Sequence, residues 1–182
     1  EGLLRSFALD AVESEGIIKI RPRDGIVSLA IARDDLVESG RERLTLQETR
    51  MQETDLPRTV RLAYIESSMD YRTAAVQQSE ANTASSREIV LQLPAAVPQS
   101  LAQARVDVAL AEAWGQRTSA QFTLLPSQLA LEPGDVISID GKDYRLSALV
   151  DAEARRCEAL QHDASVYDVP VLVERAGSPK LP

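Results

Sequence analysis

His162 and Cys157 are the chain's single histidine and single cysteine, five positions apart. A nucleophilic hydrolase needs a base beside a Ser or Cys, and no Gly-x-Ser-x-Gly elbow accompanies this histidine. A zinc centre takes about four ligands, so two isolated residues do not make one. His162 reads as a loop residue after the last strand, and Cys157 as a small core or edge residue. Phosphate loops of the Gly-x-x-x-x-Gly-Lys-Ser/Thr and Gly-x-Gly-x-x-Gly kinds are missing from the eight glycines. Acid–base work at a glycosidic bond needs paired carboxylates. The candidates are Asp34–Asp35 and the group Asp10, Glu13 and Glu15. Asp34 and Asp35 read more simply as helix-start residues favoured by the dipole, and Glu13 and Glu15 as solvated charges flanking a turn. Arg21 and Arg23 in "RPRDG" could meet a phosphate or a partner, and a solvated hairpin tip is the simpler reading. Pro179 and Pro182 stand at P-x-x-P spacing in "SPKLP", which reads as a linker. No catalytic, cofactor-binding or metal-binding residue is assigned, and no cofactor is expected.

Composition narrows the remaining classes. Of 182 residues, 44% are hydrophobic, which suits a globular protein with a sizeable core. Aromatics make up 4%, too few for the stacking platforms of sugar modules or single-strand binders. Lys and Arg number 20 against 28 Asp and Glu, a net charge of −8. An acidic chain gains nothing from neutralising phosphates, so nucleic-acid binding is not expected. One cysteine leaves no internal disulfide, as suits synthesis in a reducing compartment. No run of about 18 apolar residues is present to span a bilayer. "EGLLRSF" at the start lacks Met and reads as an amphipathic helix cut partway, as in a piece of a larger protein.

The elements that would position these residues are mostly strands. "FALDAVE", "IIKIRP" and "IVSLAI" read as strands, the last two joined by a tight Asp24–Gly25 hairpin; Val27, Leu29 and Ile31 should share a face. "RDDLVESG" suits one helical turn closed by Gly40. After Pro57, "TVRLAYI" alternates with Val60, Leu62 and Tyr64 on one face, and two further strands flank an exposed loop near Asn82–Ser86. One long helix follows at about 100–116. Ser100 and Gln103 match a capping box, Leu101, Ala104, Val108 and Ala111 form a stripe widened by Leu110 and Trp114, and Gly115 ends the helix. In "SAQFTLLP", Ala120, Phe122 and Leu124 point inward.

"LALEPGDVISIDGKDYRLSAL" is the most patterned stretch. Pro133–Gly134 suits a type II turn, Asp140–Gly141 reverses the chain, and Tyr144, Leu146, Ala148 and Val150 should alternate on the return strand. "EARRCEALQ" should pair with that strand. Every special residue here has a backbone role, so the stretch is a structural hairpin.

Taken in order, "FALDAVESEGIIKIRPRDG", "RDDLVESG", "ETDLPRTVRLAYIESSMDYRTAAVQ" and "LAEAWGQRTSAQFTLLPSQLALEPGDVISIDGKDYRLSAL" closely resemble the phage tail protein region of large tail-tip proteins. That family includes host-specificity proteins of lambda-like siphophages and, nearest, baseplate hub proteins of gene transfer agents and related prophages. The most specific elements are Asp55–Leu56–Pro57, Asp70–Tyr71, Trp114 with Arg117, Leu131–Glu132–Pro133–Gly134–Asp135, and Tyr144–Arg145; Ser100 and Gly141 complete the structural motif. "IESSMDY" departs from relatives that carry Asp-Pro before the Tyr.

The resemblance implies an α+β, mainly antiparallel β fold: barrel-like sheets resembling tail-tube domains, with one long packed helix. It divides the chain into a β-rich subdomain (1–57), a tail-tube-like barrel (58–168) and a linker (169–182). It implies a structural part of a tail baseplate hub, made in the bacterial cytoplasm and built into a virion or gene-transfer-agent tail tip. The hub connects the tube to receptor-binding or fibre parts and forms part of the DNA channel. Partners would be other tail and baseplate proteins, with a homotrimer in the full assembly and a monomer or weak oligomer for this piece. Neither membrane insertion nor specific nucleic-acid binding is expected. A cell-wall or polysaccharide hydrolase domain and a carbohydrate-binding module are the alternatives, and each lacks its residues: a carboxylate pair for the first, exposed aromatics for the second.

Overall fold

Residues 2–14, 16–38, 45–125, 130–151 and 154–168 are described by the structure, a computed structural model. The expectations placed on Glu15, Gly40, Glu153, Pro179, Pro182 and the linker 169–182 lie outside these residues. Alternation of Val60, Leu62 and Tyr64 produces β5 (Pro57–Glu66), and all three side chains are buried. β5 is the middle strand of three, antiparallel to β6 (Arg72–Ser79) and parallel to β7 (Arg87–Val97). The loop between β6 and β7 is mainly exposed, but Ser85 is buried and its hydroxyl donates to the Leu56 carbonyl.

Helix α2 (Gln99–Gly115) covers this sheet. Ala102, Val106 and Leu110, one per helical turn, share a core with Val60, Leu62, Tyr64, Val76, Leu93 and Val97. This is not the expected stripe: Ala111 is exposed, and Ala104 and Val108 are buried outside that core. Small apolar residues lie all round the helix, so periodicity alone picks no unique face. The expected cap also fails. Pro98 is the N-cap residue and provides no side-chain cap, while Ser100 sits inside the first turn with its hydroxyl buried and unpartnered. Proline needs no N–H and its ring presets φ, so the helix starts early and leaves Ser100 beyond the capping position. Gln103 bonds Asp107 at 2.9 Å instead. The helix does end at Gly115, through the Gln116 N–H on the Glu112 carbonyl at 2.8 Å, without a left-handed glycine.

The second sheet has six strands in the order β3-β9-β10-β11-β8-β4. These are β3 (Val27–Ile31), β4 (Leu46–Arg50), β8 (Thr118–Leu124), β9 (Val136–Ile139), β10 (Lys142–Asp151) and β11 (Arg155–Gln161). Only the β3–β9 pair is parallel. β3 and β4 precede Pro57 and the other four strands follow Gly115, so the ladder crosses the expected division at residue 57. Nor is this a closed barrel among the described residues, because β3 and β4 are its two ends. It is nonetheless curled: Glu48 on β4 accepts from Tyr144 on β10 at 2.5 Å, with β11 and β8 between the two strands. Ala120, Phe122, Leu124, Ile137, Ile139, Tyr144, Leu146, Cys157 and Ala159 fill the hollow.

Two strand expectations change. A bulge between Leu146 and Ala148 reverses the alternation of β10, so Leu149 packs on the core while Val150 is 57% exposed. β1 (Leu9–Ser14) and β2 (Ile17–Pro22) form a two-stranded sheet turned at Gly16, whose φ is +77°. No hairpin forms at Asp24–Gly25, because β3 leaves to run parallel to β9. Gly25 serves close passage instead: a Cβ there would lie 3.3 Å from Val136 Cγ2. Of the three residues expected on one face of β3, Leu29 and Ile31 pack on the core while Val27 is exposed. Arg33–Asp35 forms the expected helical turn, as one 3-10 turn. A short helix α1 (Gly2–Ser6) precedes β1.

Candidate functional site

Most of the motif residues occupy turns and joints; Ser100 lies within α2 and Tyr144 in the core face of β10. Asp135 N–H donates to the Glu132 carbonyl at 3.1 Å across Pro133–Gly134, and Gly134 has φ +92°, the geometry of a type II turn. Asp135 Oδ2 accepts from the Glu132 N–H at 2.8 Å and Leu131 is buried, which ties the turn at both sides. Asp140 and Gly141 both take positive φ, as the tight reversal between β9 and β10 requires. Asp70 and Tyr71 do the same between β5 and β6, leaving Tyr71 71% exposed. Leu56 is buried before Pro57 opens β5, and Asp55 pairs with Arg87 at 2.9 Å. The Trp114 indole N–H donates to the Pro57 carbonyl at 3.0 Å and fixes the end of α2 to the start of β5.

Arg21 and Arg23 are not a solvated tip. They face inward from β2 and its end, and form two clasps. Arg21 pairs with Glu132 at 2.7 Å and Asp135 at 2.9 Å. Glu132 also accepts from Ser14, and that hydroxyl, then Lys19 and Arg21, hold its carboxyl below the usual range. Arg23 pairs with Asp10 at 2.9 Å and Glu112 at 3.0 Å. Burial works against the Arg23 charge, but Glu112 and Asp10 outweigh it and raise its pKa. Asp10 Oδ2 accepts from Arg145, whose side chain is 7% exposed. Glu112 also accepts from the Tyr167 hydroxyl at 2.8 Å and from Gln116 at 2.9 Å. Burial and this carboxylate push the Tyr167 phenol up. The clasps join the β1–β2 hairpin to the 131–135 turn, to β10 and to α2. A sequence signal existed: in β2 the charged Lys19 and Arg21 alternate with Ile18 and Ile20. The partners Glu112, Glu132 and Arg145 lie 89 to 135 positions from theirs, so no local pattern reveals them.

The remaining chemistry candidates do not converge. Cys157 is fully buried in the sheet core, and burial pushes its thiol up to about 11. His162 follows β11 with its Nε2 2.9 Å from the Gly25 carbonyl, and it stacks on Tyr167. Asp34, Asp35 and Glu13 are exposed, and Asp10 is committed to arginines. Among the described residues no three His, Cys, Asp or Glu gather as metal ligands would.

A cleft opens at the Lys142 end of the curled sheet, lined by Glu48, Arg50, Trp114, Arg117, Lys142 and Gln161. Glu48 accepts from the Tyr144 hydroxyl and from Lys142 at 3.0 Å, and these contacts hold its carboxyl below the usual range. Burial and the same carboxylate push the Tyr144 phenol up. The resemblance singled out Trp114 and Arg117 as motif residues and not as members of a cleft; Glu48, Arg50 and Lys142 were not singled out, because their meeting depends on sheet curl.

Turns, ion-pair clasps and a curled sheet are what the described residues bring together. Residues 1–160 match the family described as "Putative phage tail protein", and the chain belongs to that family. No curated protein sequence matches it. A chain of a native gene transfer agent virion has a TM-score of 0.83 at 29% identity, over 91% of this chain and 38% of that one. The 43 kDa tail protein of prophage MuSo2 from Shewanella oneidensis has a TM-score of 0.54 at 9% identity, covering 91% and 54%. A tail protein from Neisseria meningitidis MC58 has a TM-score of 0.55 at 10% identity, covering 90% and 54%; these last two share the fold. This chain thus spans 38% to 54% of the length of the three.

Proposed function

We propose that the chain is a structural part of the tail-tip baseplate hub of a phage or gene transfer agent. It joins the tail tube to distal receptor-binding or fibre parts and contributes to the DNA channel, as one copy in a homotrimer. The observation that carries this reading is the likeness to the gene transfer agent virion chain, at 29% identity over 91% of this chain. Charge supports it: at net −8, the chain repels a passing duplex where a basic surface would grip it through phosphate contacts. The module acts without catalysis, since its inward carboxylates are held in ion pairs and its thiol is sealed in the core. Gold-labelled antibody against residues 58–168, applied to purified particles, tests the reading. Label at the distal end of the tail is expected, and label on the head or no incorporation at all overturns it.

A further inference from the structure

The cleft at the mouth of the curled sheet is lined where four strands end. Arg50 closes β4, Thr118 opens β8, Gln161 closes β11 and Lys142 opens β10. Trp114 and Arg117 also line it, and the cavity measures about 480 Å³. Three cations therefore face one carboxylate, in a chain whose acidic residues outnumber its basic ones by 28 to 20. That carboxylate is already engaged, because Glu48 is held by Tyr144 and Lys142. Arg50 and Arg117 make no ion pair among the described residues, and Arg117 Nε is buried with no hydrogen-bond partner. The Arg117 guanidinium favours the Glu53 charge without a hydrogen bond between the two among the described residues; Glu53 Oε1 accepts from the Ala84 N–H at 3.0 Å. A partly desolvated guanidinium with an unused donor is costly to leave so, and its planar fork matches a carboxylate.

Beside the cleft runs a second feature. β4 is an end strand of its sheet and its residues are largely exposed, so its outer edge has no strand partner among the described residues. Such an edge accepts an added extended chain through main-chain hydrogen bonds. We infer that the cleft and the β4 edge together form a docking socket for an extended acidic peptide segment of a partner protein. One carboxylate of the segment seats between Arg50 and Arg117, and its backbone pairs with β4. A nucleic acid fits less well: it has no strand to add to the edge, and a long polyanion meets the net negative surface beyond the cleft. The inference stands on the cleft's own charges, whatever particle the chain is built into.

The test titrates the 182-residue chain with an end-blocked peptide alternating Glu and Thr. A Gln-for-Glu peptide and a short DNA duplex run in parallel. Trp114, the only tryptophan, reports on the cleft by its emission, and amide NMR shifts at Arg50, Thr118 and Gln161 locate the site. Saturable binding by the Glu peptide is expected, with shifts confined to the cleft and β4. Affinity should fall about tenfold in Arg117→Gln and in Arg50→Gln, the loss of a charged hydrogen bond. The exposed control Arg156→Gln should bind within about twofold of the parent. Melting curves and unchanged amide spectra elsewhere show that each variant is folded. Absence of saturation, equal binding of the Gln peptide, tighter binding of the duplex at the same amides, or unaltered affinity in both arginine variants overturns the inference.

Discussion

Replacing Asp10 with Asn tests whether the clasp holds the first hairpin to the rest of the molecule. Asp10 bridges two arginines, Arg23 at 2.9 Å and Arg145, with side-chain exposures of 22%, 21% and 7%. Arg23 would keep Glu112, but Arg145 would lose its one ion pair among the described residues while remaining almost fully buried. Removing one member of a buried pair costs about 3–5 kcal/mol, and partial exposure of Asp10 lowers the expected cost to about 2–4 kcal/mol. In a chain of this size that corresponds to a fall in Tm of about 5–15 °C. Asp55→Asn is the comparison, because the Arg87–Asp55 pair is 61% and 44% exposed and should cost under about 1 kcal/mol. Calorimetry gives both values. Hydrogen exchange should show β1 and β2 amides losing protection first in Asp10→Asn, since a two-stranded hairpin alone is barely stable in water. A Tm within about 2 °C of the parent, or equal losses for the two variants, would refute the clasp as the hairpin's anchor.

Gly134→Val should destabilise by about 1–3 kcal/mol from positive-φ strain; the nearest atoms to a Cβ there are 3.7 and 3.9 Å away, so a clash is not the cause. Gly141→Val, with nothing within 4 Å, should cost a similar amount, and equal melting of parent and both variants would show the turns are misread. Ser100→Ala should be neutral or stabilising by up to about 1 kcal/mol, since it removes an unpartnered buried hydroxyl; a clear loss would restore it as a cap. The carboxyls of Glu48, Glu66 and Glu132 are all held below the ordinary 4.5, mainly by the Tyr144, Ser68 and Ser14 hydroxyls. Depressed folded values mean their stabilisation is complete above that pH and is lost as pH falls through the folded values. Urea midpoints should therefore drop below about pH 4.5 and drop less in Glu66→Gln, and a midpoint unchanged down to about pH 3 would contradict the assignment.

Local patterns carried the strands well. Strict alternation placed Val60, Leu62 and Tyr64 inward, and Asp140–Gly141 marked a true reversal. Longer-range features were hidden for physical reasons. Asp24–Gly25 has turn chemistry, but which strand follows it as partner is decided by packing across the sheet, and β3 pairs with β9 over 100 residues away. A bulge inverts β10 without any glycine or proline to announce it. The apolar residues of α2 surround the helix, so its buried face depends on what packs on either side. The clasp and the cleft suffer most, because Asp10–Arg145 and Glu48–Tyr144 join residues far apart in the chain. The family resemblance singled out the turns at Pro133–Gly134 and Asp140–Gly141, and both turns are present.

A density map of the purified particle, at a resolution that shows side chains, tests the central claim most directly. The account predicts this fold at the distal end of the tail tube, with Arg23 and Arg145 joined through Asp10 inside the module and Lys and Arg turned away from the DNA path. Finding the chain elsewhere in the particle, or finding the channel lined by Arg21 and Arg23, would contradict it.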